Sequence, residues 1–262
     1  MKLDCYQVDT FTEKIFGGNP ACVVPLAVWP ADDVLLNIAM ENAVAETAFF
    51  VRQADSIHLR WFTPEIEMDL CGHATLATAH VLKTILNYPE NPILFDTLSG
   101  RLRVTTSGDL YSLDFPSRKP TPETPPEAIL NAFSKAPVET LRARDYVLVY
   151  EREQDIRDIA INRQLFDTVN LGTGGVIVTA PGEQCDFVSR FFTPQASILE
   201  DPVTGSAHCS LVPYWSERLK KQTMTARQLS ARGGELFCVD EGSRVLIRGK
   251  ARTYSQSVLW TE

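Results

Sequence analysis

Hydrophobic and polar positions change period several times along the chain, and the changes mark elements. Residues 32–45, "DDVLLNIAMENAVA", place Leu35, Ile38, Ala39 and Asn42 at helical spacing, with Asp32 or Asp33 available as a cap. Residues 47–51, "TAFFV", and 57–62, "IHLRWF", read as strands. Residues 73–86 are apolar on most sides of a helix, the pattern of a buried one. The later chain repeats this, with a strand at 176–180, "VIVTA", and a second buried helix from Ser206. Pro213 lies inside that helical pattern and predicts a kink or an irregular turn there.

The repetition extends to individual residues. "IHLRWFTP" at 57–64 matches "FVSRFFTP" at 187–194, so Arg60 aligns with Arg190 and Pro64 with Pro194. A short acidic segment follows each copy, then Gly72 or Gly205 opens the helical stretch, with three extra residues in the second copy. The chain therefore reads as a duplicated unit of α+β type, strands around a hydrophobic helix twice over, with a cleft expected between the halves. The first unit is placed at 1–117 and the second at 127–262. Five prolines in "PSRKPTPETPP" (116–126) suggest a linker, taken as 118–126. The closing strands are expected to return to either sheet.

Bulk properties narrow the function. The net charge of −8 disfavours nucleic acid as a partner, and no run of about 18 apolar residues suggests a membrane span. Acids near the start are unlike a signal peptide, so a cytoplasmic location is expected. The six cysteines form no Cys-x-x-Cys pair, which disfavours structural zinc, and are expected as free thiols.

Each buried helix opens with glycine plus a small polar or imidazole residue, Gly72-His73 and Gly205-Ser206. Helix starts carry unpaired N–H groups and partial positive charge, and glycine admits a ligand close to the backbone. Matched in two copies, the turns predict an anion site for a substrate carboxylate, with Asp201 just ahead of the second turn. Arg60 and Arg190 are read as structural ion-pair partners, Glu65 and Glu67 as solvated charges, and His80 and His208 as packed or hydrogen-bonded.

The blocks "DTFTEKIFGGNPACVV" (9–24), "AETAFF" (45–50), "DLCGHATLATAHVL" (69–82), "EDPVTGSAHCSLVPYW" (200–215) and "SARGGEL" (230–236) resemble the phenazine-biosynthesis isomerase family, and more distantly diaminopimelate epimerase. The resemblance runs over nearly the whole chain. It implies a duplicated diaminopimelate-epimerase-like fold, each half a sheet wrapped round a central helix, and cofactor-free proton transfer at carbon in a homodimer. It also implies Glu46 as the acid/base, His73 as a substrate contact and Asp201 as an assisting acid. Gly72, Gly205 and Ser206 match anion-binding positions, and Asn19 with Pro20 belongs to an early turn. Ala45 stands where many relatives have serine, and the terminal "SQSVLW" is atypical. Two other functions compete: a two-thiol racemase, for which Cys71 has no partner cysteine in the second half, and a binding protein without catalysis.

Overall fold

A computed structural model describes residues 1–261, and these divide into two units. The first comprises Met1–Phe115 and the chain from Leu246 onward; the second is Pro116–Val245. The first unit holds β1 (Lys2–Thr10), β2 (Asn19–Leu26), α1 (Asp32–Asn42), β3 (Glu46–Arg52), β4 (Ile57–Phe62), β5 (Glu67–Met68), α2 (Gly72–Thr84), β6 (Ile93–Thr97), β7 (Gly100–Ser107) and β8 (Leu110–Pro116). The second holds β9 (Thr121–Pro122), α3 (Glu127–Ala132), β10 (Glu139–Arg142), β11 (Tyr146–Val149), α4 (Glu153–Asp158), α5 (Arg163–Phe166), β12 (Val176–Pro181) and β13 (Phe187–Phe192). It continues through β14 (Glu200–Asp201), α6 (Gly205–Leu219), β15 (Thr223–Gln228) and β16 (Gly234–Asp240), before β17 (Arg244–Gly249) and β18 (Ala251–Trp260) close the chain.

Strand pairing repeats between the units, sense for sense. In the first, β1–β2 is antiparallel, β2–β3 parallel, β3–β4 and β4–β5 antiparallel, β4–β6 parallel and β6–β7 antiparallel. In the second, β10–β11, β11–β12, β12–β13, β13–β14, β13–β15 and β15–β16 follow the same series. Register fixes residue equivalence: Phe49 faces Arg60, and Val178 faces Arg190. By the same rule Glu46 corresponds to Gly175. Trp61 faces Met68 and Phe191 faces Asp201, so Met68 corresponds to Asp201.

The two arginines are structural, as their repeated position implies. Arg60 grips Glu67 with two bonds of 2.7 Å, and Arg190 grips Glu200 at 2.7 and 2.9 Å. Each pair spans the hairpin that leads to its central helix. Glu67 is therefore not a solvated charge; bidentate pairing to a mostly buried guanidinium draws it in. Glu65 is exposed. Arg190 also donates to the carbonyls of Ile156 and Ile159, at 3.2 and 3.1 Å.

The central helices are enclosed. Every residue of α2 from Gly72 to Leu82 is buried, and so is almost all of α6 up to Ser216. Neither has a polar face to show to water, which is why the sequence lacks an amphipathic stripe there. His80 donates or accepts at Tyr111 Oη and Thr253 Oγ1, 3.0 and 2.9 Å away, and His208 Nδ1 lies 2.8 Å from the Thr204 carbonyl.

Several elements differ from the sequence reading. Helix α1 stops at Asn42 because Ala43 turns left-handed (φ 51°), returning its N–H to the Ala39 carbonyl. Its N-cap is Ala31, not an aspartate; Asp32 is taken by Arg60 at 2.9 Å and Asp33 by the N–H of Val34. Helix α6 runs through Pro213 without a break. The proline-rich segment from Pro116 lies inside the second unit, where β9 pairs with β10. Strand β18, which carries "SQSVLW", pairs antiparallel with β1. All six cysteines are free thiols. No helix among the described residues is long and apolar enough to cross a membrane.

Candidate active site

Glu46 is the first residue of β3 and pairs with Ala21 of β2. Asn42 Nδ2 donates to Thr47 Oγ1 at 3.1 Å and steadies the turn that delivers Glu46. Asn19, fully buried, opens the neighbouring parallel strand two positions before Ala21, and its carbonyl accepts from Thr10 Oγ1 at 2.9 Å. Gly18 just before it has φ 62°, and a Cβ there would sit 1.9 Å from the Thr10 carbonyl oxygen, so the turn admits only glycine.

His73, the second residue of α2, faces Glu46. Its Nε2 lies 3.2 Å from Glu46 Oε2, off the line of a hydrogen bond, and no other group bonds to Nε2. Burial holds the imidazole down to about 3, so it is neutral at physiological pH. On the other side of the ring, Nδ1 lies 3.5 Å from Cys71 Sγ. Cys71 precedes the helix with extended backbone (φ −139°, ψ 109°), which turns its thiol back over the first helical turn. Thr75 Oγ1 donates to the Cys71 carbonyl and holds that turn.

Neither central helix is capped at its start by a side chain. In α2, Cys71 stands at the cap. In α6, Thr204 does, but its hydroxyl donates to Asp201 Oδ2 and its N–H to Gln228 Oε1 at 2.9 Å. At both starts the cap residue's side chain accepts none of the first helical N–H groups, the setting in which helix ends bind anions. Gln228 is the residue that sequence reasoning missed. Buried in β15, it also donates to the Asp201 carbonyl at 2.8 Å, while Ser230 Oγ donates to the Pro202 carbonyl at 2.8 Å. The block "SARGGEL" thus braces the turn that presents Asp201; only Ser230 of this pair carried a sequence signal.

In the first unit the structure brings together Glu46, His73 and Cys71 and places Asn19 on the adjoining strand. In the second it brings together Asp201, Thr204, Gly205 and Ser206. One ligand atom each from Glu46, Cys71 and His73 falls within 4.8 Å of the others. This set does not suit a metal ion: the carboxylate and the thiol face different ring nitrogens, whereas an ion needs one nitrogen pointed with both.

The fold defines the class: two diaminopimelate-epimerase-like units. It is shared with a solved hydroxyproline epimerase from Agrobacterium vitis, at a TM-score of 0.62 and 10% identity over 98% of this chain and 92% of that one. The chain belongs to the phenazine biosynthesis-like protein family, whose model matches residues 8–257. It is 47% identical to an uncharacterized isomerase of Pseudomonas aeruginosa, over 96% of both chains. A solved PhzF-family phenazine biosynthesis protein from Enterococcus faecalis superposes with a TM-score of 0.94 and 43% identity, covering all of both chains. The family and these close relatives support activity of isomerase type.

Proposed function

We propose that the protein isomerises a small carboxylate-bearing metabolite by moving a proton at carbon, with Glu46 as the acid/base and with groups of the chain alone. The observation that carries this reading is Glu46 set 3.2 Å from a neutral, buried imidazole at the uncapped start of α2. A carboxylate can take a proton from carbon next to a carboxylate or carbonyl if the developing negative charge meets donors. The helix N–H groups and the imidazole N–H are such donors. The substrate carboxylate is assigned to the start of α2, beside Glu46 and His73.

A two-thiol mechanism fits less well. The position equivalent to Cys71, counted from Gly72 and Gly205, is Thr204. Its hydroxyl is already committed to Asp201.

The test is solvent deuterium exchange into a panel of small cyclic and acyclic carboxylic acids. The protein should label at least one of them, and Glu46→Gln should lower the rate by about two to four powers of ten while still binding it. A folded Glu46→Gln protein that labels as fast as the wild type removes Glu46 from the mechanism. Exchange with no member of the panel, together with tight binding of one, would favour a binding protein instead.

A further inference from the structure

The cysteine beside the candidate site has a geometry that its sequence context did not suggest. His73 is sandwiched: Cys71 Sγ at 3.5 Å from Nδ1, Glu46 Oε2 at 3.2 Å from Nε2. The ring is 4% exposed and Cys71 5%, so neither ring nitrogen can turn to bulk water. A neutral imidazole carries one hydrogen, and the two placements are unequal. With the hydrogen on Nδ1, the lone pair of Nε2 would face the Glu46 carboxylate, an acceptor against an acceptor in a buried setting. With it on Nε2, the ring donates toward Glu46, and Nδ1 is free to accept from the thiol S–H. Both contacts are then attractive: the N–H faces the carboxylate, though off the line of a hydrogen bond, and the thiol meets a ring lone pair.

We infer that Cys71 is a positioning residue: its thiol donates to His73 Nδ1, which fixes the ring as the Nε2–H tautomer aimed at Glu46. The sulfur need not ionise or bond to substrate. Its work is to give Nδ1 a partner so that the one ring hydrogen stays on the working side. A cysteine suits this because its weak donor is enough to satisfy Nδ1, while it competes poorly as an acceptor for that hydrogen.

The inference rests on Glu46 being the proton-carrying carboxylate, but its test does not need the substrate. The whole protein, labelled with ¹⁵N-histidine, is studied by NMR, and His73 is assigned by substituting His58, His80 and His208 in turn. The wild type should show Nε2 as the protonated nitrogen and Nδ1 as the bare one. Cys71→Ala should shift the tautomer ratio toward Nδ1–H by about three- to tenfold, the worth of one hydrogen bond, and Cys71→Ser should restore it. A protonated Nδ1 in the wild type overturns the inference, as does a ratio unmoved in Cys71→Ala. Should the alanine variant not fold, the wild-type tautomer and the serine variant still decide. Undiminished exchange in Glu46→Gln would overturn the proposed role of Glu46 and leave the tautomer assignment standing, so the two failures are distinguishable.

Discussion

The carbonyl of Cys209 accepts the backbone N–H of Arg118 at 2.9 Å. That carbonyl lies four residues before Pro213, which has no N–H to give it. The proline-rich stretch thus fills the gap that the proline inside α6 opens, and the helix continues through it.

Proline inside a helix normally lowers stability by about 3 kcal/mol, and its removal should recover some of that. Here the orphaned carbonyl is already served. Pro213→Ala should therefore lower stability by about 1 kcal/mol, through a freer unfolded chain and a small void at a buried site. Urea unfolding with an unchanged slope measures it; a gain of 2 kcal/mol or more would show that the Arg118 bond does not compensate.

Arg190 and Arg60 occupy equivalent positions but not equal ones. Arg190 serves two carbonyls of buried residues, Ile156 and Ile159, whereas the additional partner of Arg60 is Asp32, whose side chain is 73% exposed. Arg190→Met should lower stability by about 3 kcal/mol or more, and Arg60→Met by less. Equal losses in denaturant unfolding would mean that the carbonyl bonds contribute nothing.

Three histidines are held neutral by burial, His73 at about 3 and His80 and His208 at about 4, with Arg252 adding to the effect at His80. In the unfolded chain each binds a proton below about 6.5. The unfolded state therefore takes up more protons as pH falls, and stability is lost from about pH 6.5 down to the folded values. At pH 5 each buried ring should account for about 2 kcal/mol of that loss. Urea midpoints at pH 7, 6 and 5 should fall in step, and His80→Gln should flatten the slope; a pH-independent midpoint would contradict the burial of these rings.

Asp201→Asn should slow deuterium exchange, with a larger effect on substrate affinity than on turnover if Asp201 orients the substrate. Exchange and affinity both unchanged in a folded variant would remove Asp201 from the reaction.

The duplication was legible because "RWFTP" and "RFFTP" preserve the arginine that pairs with an acid on the next strand, even across a three-residue insertion. The central helices were legible because they are apolar all round. Helix α1 was read three residues too long, since nothing in "NAVA" announces a left-handed alanine. The short helices α3, α4 and α5 were not read, being only four to six residues each and too short to show a period. At the site, Glu46, His73 and Asp201 could be nominated from sequence, but not the thiol against the ring. Residues two apart across a helix start meet only because Cys71 is extended. Gln228 was invisible because its partner Thr204 lies 24 residues earlier and is brought near by β15.

The register equivalences have a consequence for what duplication left behind. Where the first copy has Glu46, the second has Gly175, and a Cβ there would come within 2.4 Å of the Phe191 ring. Where the second has Asp201, the first has Met68. Each copy thus lacks the acid that the other carries, and in the second copy the space for it is filled by an aromatic ring. The copies share a blueprint but are no longer interchangeable, so the chain is chemically lopsided on a repeated frame. A second copy of either half put in place of the other would therefore not rebuild the same set of side chains.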